Sequence, residues 1–338
     1  LSAKNKMYIM PKKIAINGFG RIGRLTFRNL IKDPSVEVVA INDLTDAATL
    51  AHLLEFDSSH GRFDGTVEVQ EGSLVVNGHQ IPIYAERNPE DLPWGALEVD
   101  VVLECTGFFR KKEQAALHLN AGAKKVLLSA PAKSKEIPTI VRGVNDEELT
   151  GEDLIVSNAS CTTNCLAPLV KVISNNWGLK YGFMSTIHAY TANQNLQDGP
   201  HSDLRRARAA AVNMIPTSTG AADALELVFP SAKGKISASS IRIPIPTGSM
   251  VELMVATEKE VTAEEVNATF KAEAEAALKG VLEYTEKPIV SSDIVSSPYS
   301  SIFDAELTTV HQGLLKVTAW YDNEAGYSAR LTELAKMI

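Results

Sequence analysis

Apolar residues in the first third of the chain fall into short unbroken runs separated by stretches of helical spacing. IAIN (14–17) reads as a buried strand, IGRLTFRNLIK (22–32) as a helix, and Asp33-Pro34 as its stop. VEVVAIND (36–43) is the next strand and 46–54 the next helix. VDVVLE (99–104), a helix near 111–121 and KKVLLSAP (124–131) continue the alternation. Strands apolar on both faces and joined through helices predict a parallel sheet covered on either side. Between 62 and 98 the runs shorten and alternate (TVEVQ, LVVNG, QIPIYA) around an Asn-Gly turn, which predicts an antiparallel excursion.

After about residue 160 the pattern changes. A helix over 161–175 leads to GFMSTIHAY, which alternates like a strand. An Arg-, Gly- and Pro-rich stretch (190–218) follows, too long for a mere connection. ASSIRIPI and SMVELMVAT read as strands around a long helix at 262–279, an α+β arrangement on a mostly antiparallel sheet. The expected division is a first domain over 12–160 completed by a C-terminal helix at 322–338, a second over 161–321, and a tail over 1–11.

Composition narrows the function classes. At 338 residues the chain exceeds one ordinary domain, and 45% apolar residues suffice for two cores. A net charge of −8 argues against a general nucleic-acid binder. No apolar run approaches the ~18 residues of a membrane span. The leading LSAKNKMYIMPKK lacks the hydrophobic stretch and cleavage site of a secretory signal. Three cysteines do not make a disulfide framework, and a reducing cytoplasm fits them better.

NGFGRIGR (17–24) places Gly18, Gly20 and Gly23 in G-x-G-x-x-G spacing between a strand and a helix. Gly18 permits the tight turn, Gly20 lets a pyrophosphate approach the backbone, and Gly23 allows close helix–strand packing. The helix N-terminus then offers unpaired N–H groups to the phosphates. Asp43 ends the second strand, where its carboxylate can accept the ribose hydroxyls. It would repel a ribose phosphate, which favours NAD over NADP. The bland alternative is a structural glycine turn with a strand-end Asp.

SNASCTTNCLAP (157–168) sets two of the three cysteines four positions apart. Cys161 stands where a strand gives way to a helix, and a helix N-terminus favours the thiolate, the reactive form. Ser160, Thr162, Thr163 and Asn164 around it suggest a pocket mouth; a buried cysteine at a helix start is the competing reading, and pattern alone does not separate the two. Cys165, one turn on among Leu166, Ala167 and Leu169, reads as a packing residue, as does Cys105 after VDVVLE. Of seven histidines, His188 ends an apolar strand, a site-like placement. His79 and His311 fall in expected turns and His52 in a helical pattern. No spacing suggests a metal site.

These segments, with RRARAAA, IPTSTGAA and WYDNEAGYS, together resemble the phosphorylating glyceraldehyde-3-phosphate dehydrogenases, in order from about residue 12 to the C-terminus. The cysteine segment is specific to that family and the glycine motif is not. The resemblance implies a Rossmann-type doubly wound domain, a catalytic domain, and a cytoplasmic homotetramer with an S-shaped loop near 190–214. It implies Cys161 as nucleophile and His188 as its activator. It assigns the phosphate of glyceraldehyde 3-phosphate to Thr191, Arg206 and Arg242, and inorganic phosphate to Ser160, Thr162, Thr219 and Gly220. For NAD it marks Arg21, Ile22, Asp43, Arg87, Ser129 and Asn323 beside the glycines. Of the basic cluster Arg205, Arg206 and Arg208, otherwise readable as a solvated face, it selects Arg206. The chain departs from the family at Ala325, where many relatives carry a bulky aromatic, and at Ala192, where a polar residue is common. The alternatives are an erythrose-4-phosphate dehydrogenase and a non-catalytic dinucleotide-sensing or surface-binding protein.

Overall fold

A computed structural model describes residues 10–338. The expected tail therefore lies outside the described residues except for Met10 and Pro11. β1 (Lys12–Asn17), α1 (Arg21–Leu30), β2 (Val36–Asn42) and α2 (Ala47–Glu55) open the fold. The stretch expected as an antiparallel excursion splits in two. β3 (Val67–Gln70), β4 (Ser73–Val76) and β5 (His79–Ile81) form a small antiparallel sheet. Ile83–Tyr84 (β6) instead joins the main sheet parallel to β2. Pro82 between them supplies no N–H to a ladder, so pairing changes partner there.

β7 (Val101–Glu104), α3 (Lys112–Asn120), β8 (Lys125–Leu128) and β9 (Ile155–Ser157) complete an all-parallel sheet in the order β6-β2-β1-β7-β8-β9. The order reverses between β1 and β7. Ligands of doubly wound sheets bind in the crevice that such a reversal opens.

α4 (Cys161–Trp177) leads into the second sheet. Its strands are β10 (Leu179–Ala189), β11 (Ile215–Thr217), β12 (Ile236–Ile243), β13 (Ser249–Thr257), β14 (Leu282–Thr285), β15 (Ser301–Asp304), β16 (Thr309–His311) and β17 (Leu314–Tyr321). The path β11-β12-β10-β13-β17-β15-β14 is mostly antiparallel, with parallel pairs at β10/β12 and β14/β15. α5 (Ala221–Val228) and α6 (Ala263–Glu275) accompany this sheet, so the helix expected over 262–279 is shorter. His79 and His311 lie in strands rather than turns, and His52 lies in α2 with its side chain exposed.

α4 buries Leu166, Leu169, Val170 and Ile173 with Val251, Leu253 and Val255 of β13. Each such side chain is worth about 1.5–3 kcal/mol, which seats the helix that carries Cys161. α7 (Ala325–Met337) returns to the other core. Its Leu331, Leu334 and Ala335 share a cluster with Ile14, Ile16 and Phe27.

Candidate active site

The glycine turn after β1 explains itself sterically. Gly18 has φ +92°, and a Cβ there would stand 2.8 Å from the Thr106 nitrogen. A Cβ on Gly23 would come within 2.2 Å of the Gly18 oxygen, so only glycine lets α1 start this close to the strand. A Cβ on Gly20, by contrast, would meet nothing within 4 Å beyond its chain neighbours. That space belongs to a cavity of about 490 Å³ lined by Gly18, Gly20, Asp43, Arg87, Cys105 and Phe108, among others. No side chain caps α1 at Gly20, so the first-turn N–H groups, those of Arg21 and Ile22 included, stay available to an anion. Asp43 is held by the Phe19 N–H at 2.8 Å and the Thr45 N–H at 2.9 Å. A dinucleotide fits this cradle.

Two expected residues take parts that the pattern did not suggest. The Arg21 guanidinium faces away into an ion cluster, donating to Asp57 at 2.7 Å and to Glu324 at 2.9 Å. Cys105 is half-buried and lines the cavity instead of sitting wholly in the core. Ser129 at the end of β8 is half-buried. Asn323 is buried where β17 passes to α7. Its Oδ1 accepts the Gly248 N–H at 3.2 Å and the Ser249 hydroxyl at 3.0 Å. The amide NH2 has no protein partner among the described residues and remains free to donate.

Cys161 is the first residue of α4, behind the N-cap Ser160, whose hydroxyl accepts the Thr163 N–H at 3.2 Å. The chain turns into this helix through Ala159, a buried non-glycine residue at φ +56°. Such strain costs about 1–3 kcal/mol. Tyr327 of α7 helps to hold the turn by donating to the Ala159 carbonyl at 3.1 Å. The result is a sulfur 3.5 Å from Nε2 of His188.

His188 lies at the end of β10, and the parallel register sets Arg242 of β12 directly beside it. Arg242 donates through Nη1 to His188 Nδ1 at 2.8 Å and to the Ala189 carbonyl at 3.1 Å. Nδ1 also lies 2.7 Å from the Ala189 carbonyl, so it meets a donor and an acceptor at once, while Nε2 faces the sulfur. Burial, reinforced by the Arg242 charge, pushes His188 down to about 3, so the imidazole is neutral. Burial also raises the Cys161 thiol, against the downward pull of Arg242 and of Thr162. The thiolate expected from the helix N-terminus alone is thus disfavoured in the free chain. At this sulfur burial opposes the helix end.

The other expected residues surround this pair or the loop beside it. Thr191 and Arg206 belong to the 190–214 segment, where Arg206 donates to Thr217 at 2.6 Å, to the Ser218 carbonyl at 3.2 Å and to Asn193. Thr191 is half-buried, and its N–H donates to Gln194 at 3.3 Å. The charges of Arg206 and Arg242 act on each other; the buried Nε of Arg242 has no hydrogen-bond partner among the described residues, whereas that of Arg206 lies 3.4 Å from Asp203 Oδ2. An arginine that keeps a donor unused beside a second positive charge is complementary to an anion. Thr219 and the exposed Gly220 form the uncapped start of α5, and Thr219 accepts the Ala221 N–H at 3.2 Å. Thr162 is buried, its hydroxyl 2.9 Å from that of Tyr321.

Sequence reading passed over Tyr321 and the carboxylates around Arg21. Tyr321 lies in WYDNEAGYS, but nothing in that pattern shows that its ring stands edge-on to His188, with centroids 5.8 Å apart.

Two family models match the chain. One describes the NAD binding domain of glyceraldehyde 3-phosphate dehydrogenase, over residues 12–112, and the other the C-terminal domain, over 160–323. The glyceraldehyde-3-phosphate dehydrogenase of Geobacillus stearothermophilus is 56% identical over 331 residues, 97% of this chain and 98% of that protein. That of Clostridium acetobutylicum is 55% identical over 325 residues, 94% and 96% of the two chains. Glyceraldehyde-3-phosphate dehydrogenase 1 of Bacillus subtilis is 54% identical over 331 residues, 97% and 98%.

Proposed function

From the premise that this chain belongs to the glyceraldehyde 3-phosphate dehydrogenase family, we propose that it oxidises D-glyceraldehyde 3-phosphate to 1,3-bisphosphoglycerate, with NAD as acceptor and inorganic phosphate as second substrate. The observation that carries the reading is the Cys161–His188 pair, 3.5 Å apart at the tip of α4, beside an arginine with an unused donor.

The chain's own groups do the following. Cys161 gives its proton to the His188 imidazole as the aldehyde approaches, and its sulfur adds to the carbonyl carbon. The developing oxyanion is met by first-turn N–H groups of α4 and takes that proton back from the His188 ring, becoming the hydroxyl of the hemithioacetal. His188 then removes the hydroxyl proton, leaving a thioester on Cys161. Bound NAD supplies the hydride acceptor for that oxidation. Phosphate attacks the thioester carbon, the C–S bond breaks, and sulfur departs as thiolate. Thr191, Arg206 and Arg242 hold the substrate's phosphate; Ser160, Thr162, Thr219 and Gly220 hold the incoming one. The glycine turn, the first-turn N–H groups of Arg21 and Ile22, Asp43, Arg87, Ser129 and Asn323 hold the dinucleotide, and Asp43 selects NAD over its 2′-phosphate. In this reading the NAD-binding domain runs over 12–160 with the helix at 322–338, and the catalytic domain over 161–321.

The assembly we assign is a cytoplasmic homotetramer, supported by the segment 190–214. Its Leu196, Leu204, Val212 and Met214 are 71–81% exposed, apolar surface that a second subunit would cover. No helix among the described residues is long and apolar enough to cross a membrane. The deciding experiment is NADH production from the triose phosphate with and without inorganic phosphate. Sustained turnover should require phosphate, and rapid turnover without it would sink the proposal.

A further inference from the structure

β2, β1 and β7 lie side by side in the parallel sheet, and each ends on a buried polar residue. The register sets Asn17 opposite Asn42 on one side and opposite Glu104 on the other. All three are at most 4% exposed. Asn17 donates through Nδ2 to Glu104 Oε2 at 2.6 Å, and Asn42 donates through Nδ2 to Asn17 Oδ1 at 2.7 Å. His118 of α3, wholly buried, meets the same Oε2 through Nε2 at 3.1 Å, and Trp94 donates to its Nδ1 at 3.0 Å. Glu104 Oε1 accepts the Thr106 N–H at 2.8 Å and the Thr106 hydroxyl.

Groups that can play only one part fix the direction of these bonds. The Glu86 N–H donates to Asn42 Oδ1 at 2.8 Å and the Glu86 carbonyl accepts from Nδ2 at 2.9 Å, so the Asn42 amide has one orientation. Asn17 then offers its oxygen to Asn42 and its NH2 to Glu104. An indole N–H only donates, so His118 Nδ1 accepts and Nε2 carries the proton. That proton goes to Glu104, because Asn17 Nδ2, 3.4 Å away, is itself a donor. Two donors thus converge on each carboxylate oxygen, and its four lone-pair sites are filled. Glu104 is an acceptor-only carboxylate beside a neutral histidine, and among the described residues no lysine or arginine pairs with it.

This row runs beneath the cofactor cradle. Asn17, Asn42, Glu86 and Thr106 line the cavity of about 490 Å³, whereas Glu104 and His118 are not part of its lining. Gly18 follows Asn17, Asp43 follows Asn42 and Arg87 follows Glu86. The Thr106 nitrogen is the atom that a Cβ on Gly18 would strike. We propose that Glu104 is a positioning residue for the dinucleotide: its buried carboxylate latches the ends of β2, β1 and β7 through Asn17, Asn42 and Thr106, and sets the glycine turn, Asp43 and Arg87 in place before NAD arrives. The inference deepens the NAD-binding reading given above and rests on it. Apparent affinity scales with the fraction of chains whose site is already assembled, so loosening the latch weakens NAD without touching the reacting sulfur.

The test is isothermal titration calorimetry of NAD on E104Q, N17D and the double variant. In E104Q an NH2 replaces one oxygen and faces either the Thr106 N–H or the donors of Asn17 and His118. NAD should then bind roughly tenfold more weakly. N17D sets a second carboxylate against the first and should weaken binding similarly. Combined, the two changes move the charge one strand over. The new amide at 104 donates to the new carboxylate at 17, which also takes the Asn42 donor and the His118 proton, so every donor again has an acceptor. Affinity should return to within about threefold of the unmutated chain. With NAD saturating, kcat of E104Q should change little while its KM for NAD rises. Unchanged NAD affinity in E104Q, a double variant no better than the weaker single one, or a loss confined to urea stability overturns the latch. Should E104Q fail to fold, H118F decides. It removes a donor from Glu104 at a position outside the cavity lining and should still weaken NAD several-fold; unchanged affinity overturns the proposal. The calorimetry uses no substrate, so absence of phosphate-dependent NADH formation would reject the proposed function separately.

Discussion

His60 and His188 are both buried histidines, one beside the cofactor cradle and one at the reacting sulfur, and they are pushed in opposite directions. His60 sits among Asp57, Asp322 and Glu324, with Nε2 2.9 Å from Asp322. Burial alone would lower it, but hydrogen bonds to Asp322 and Asp57 and the Glu324 charge raise it to about 9. His188 has an arginine where His60 has carboxylates, so there the neighbour reinforces burial instead of opposing it. The same side chain thus becomes a fixed cation that ties β1–α2 to the start of α7 in one place, and a neutral base in the other. Charge composition of the surroundings decides, and it is assembled from residues more than two hundred positions apart for His60 and Asp322.

That contrast can be broken from the catalytic side first. C161S should lower turnover by more than about a thousandfold, since a serine hydroxyl lacks the thiol's acidity and the neutral His188 alone must activate it. NAD binding, measured by fluorescence titration, should persist, because the cradle belongs to the other sheet. Retained turnover would remove Cys161 from the chemistry. R242A comes next. It should raise KM for the triose phosphate by about tenfold or more, the size of a lost charge-assisted contact, while an unphosphorylated aldehyde is affected far less. Equal effects on both would take Arg242 out of the phosphate site. The same variant should move His188 upward by NMR titration, though burial keeps it below an ordinary histidine.

The smallest expected effect lies on the cofactor side. His60 is raised in the folded chain, so its contribution to stability is full below the unfolded value of 6.5 and is lost as pH rises through about 9. The upper bound on that loss is roughly 3 kcal/mol. Comparing urea midpoints of H60Q and the unmutated protein at pH 6.5 and 9.5 reads it: the difference should shrink at the higher pH. His188 has the reverse sign, its contribution falling as pH drops from 6.5 toward about 3. A gap for H60Q that stays constant with pH would mean that His60 is not charged.

The cradle was nearly complete in the sequence because its parts are contiguous. Gly18, Gly20 and Gly23 act within one turn, and Asp43 ends the adjacent strand, so local spacing carries the geometry. The catalytic pair was legible only as candidates. Cys161 and His188 stood out by position, yet the burial that pushes the thiol up was not legible, because desolvation depends on what the second sheet packs over the sulfur. The ion cluster around the Arg21 guanidinium was not legible either, since the acids that claim it come from just beyond α2 and from Glu324.

The sequence by itself determined the alternation that makes the parallel sheet, the glycine turn, the carboxylate at the second strand's end and the segment bearing the reactive cysteine, all properties of short-range order and residue type. Only the tertiary structure decided the register that sets Arg242 beside His188, the polar row through Glu104 and the protonation states of the two histidines. Those depend on dielectric surroundings and on contacts between distant strands, which folding creates and linear spacing does not encode.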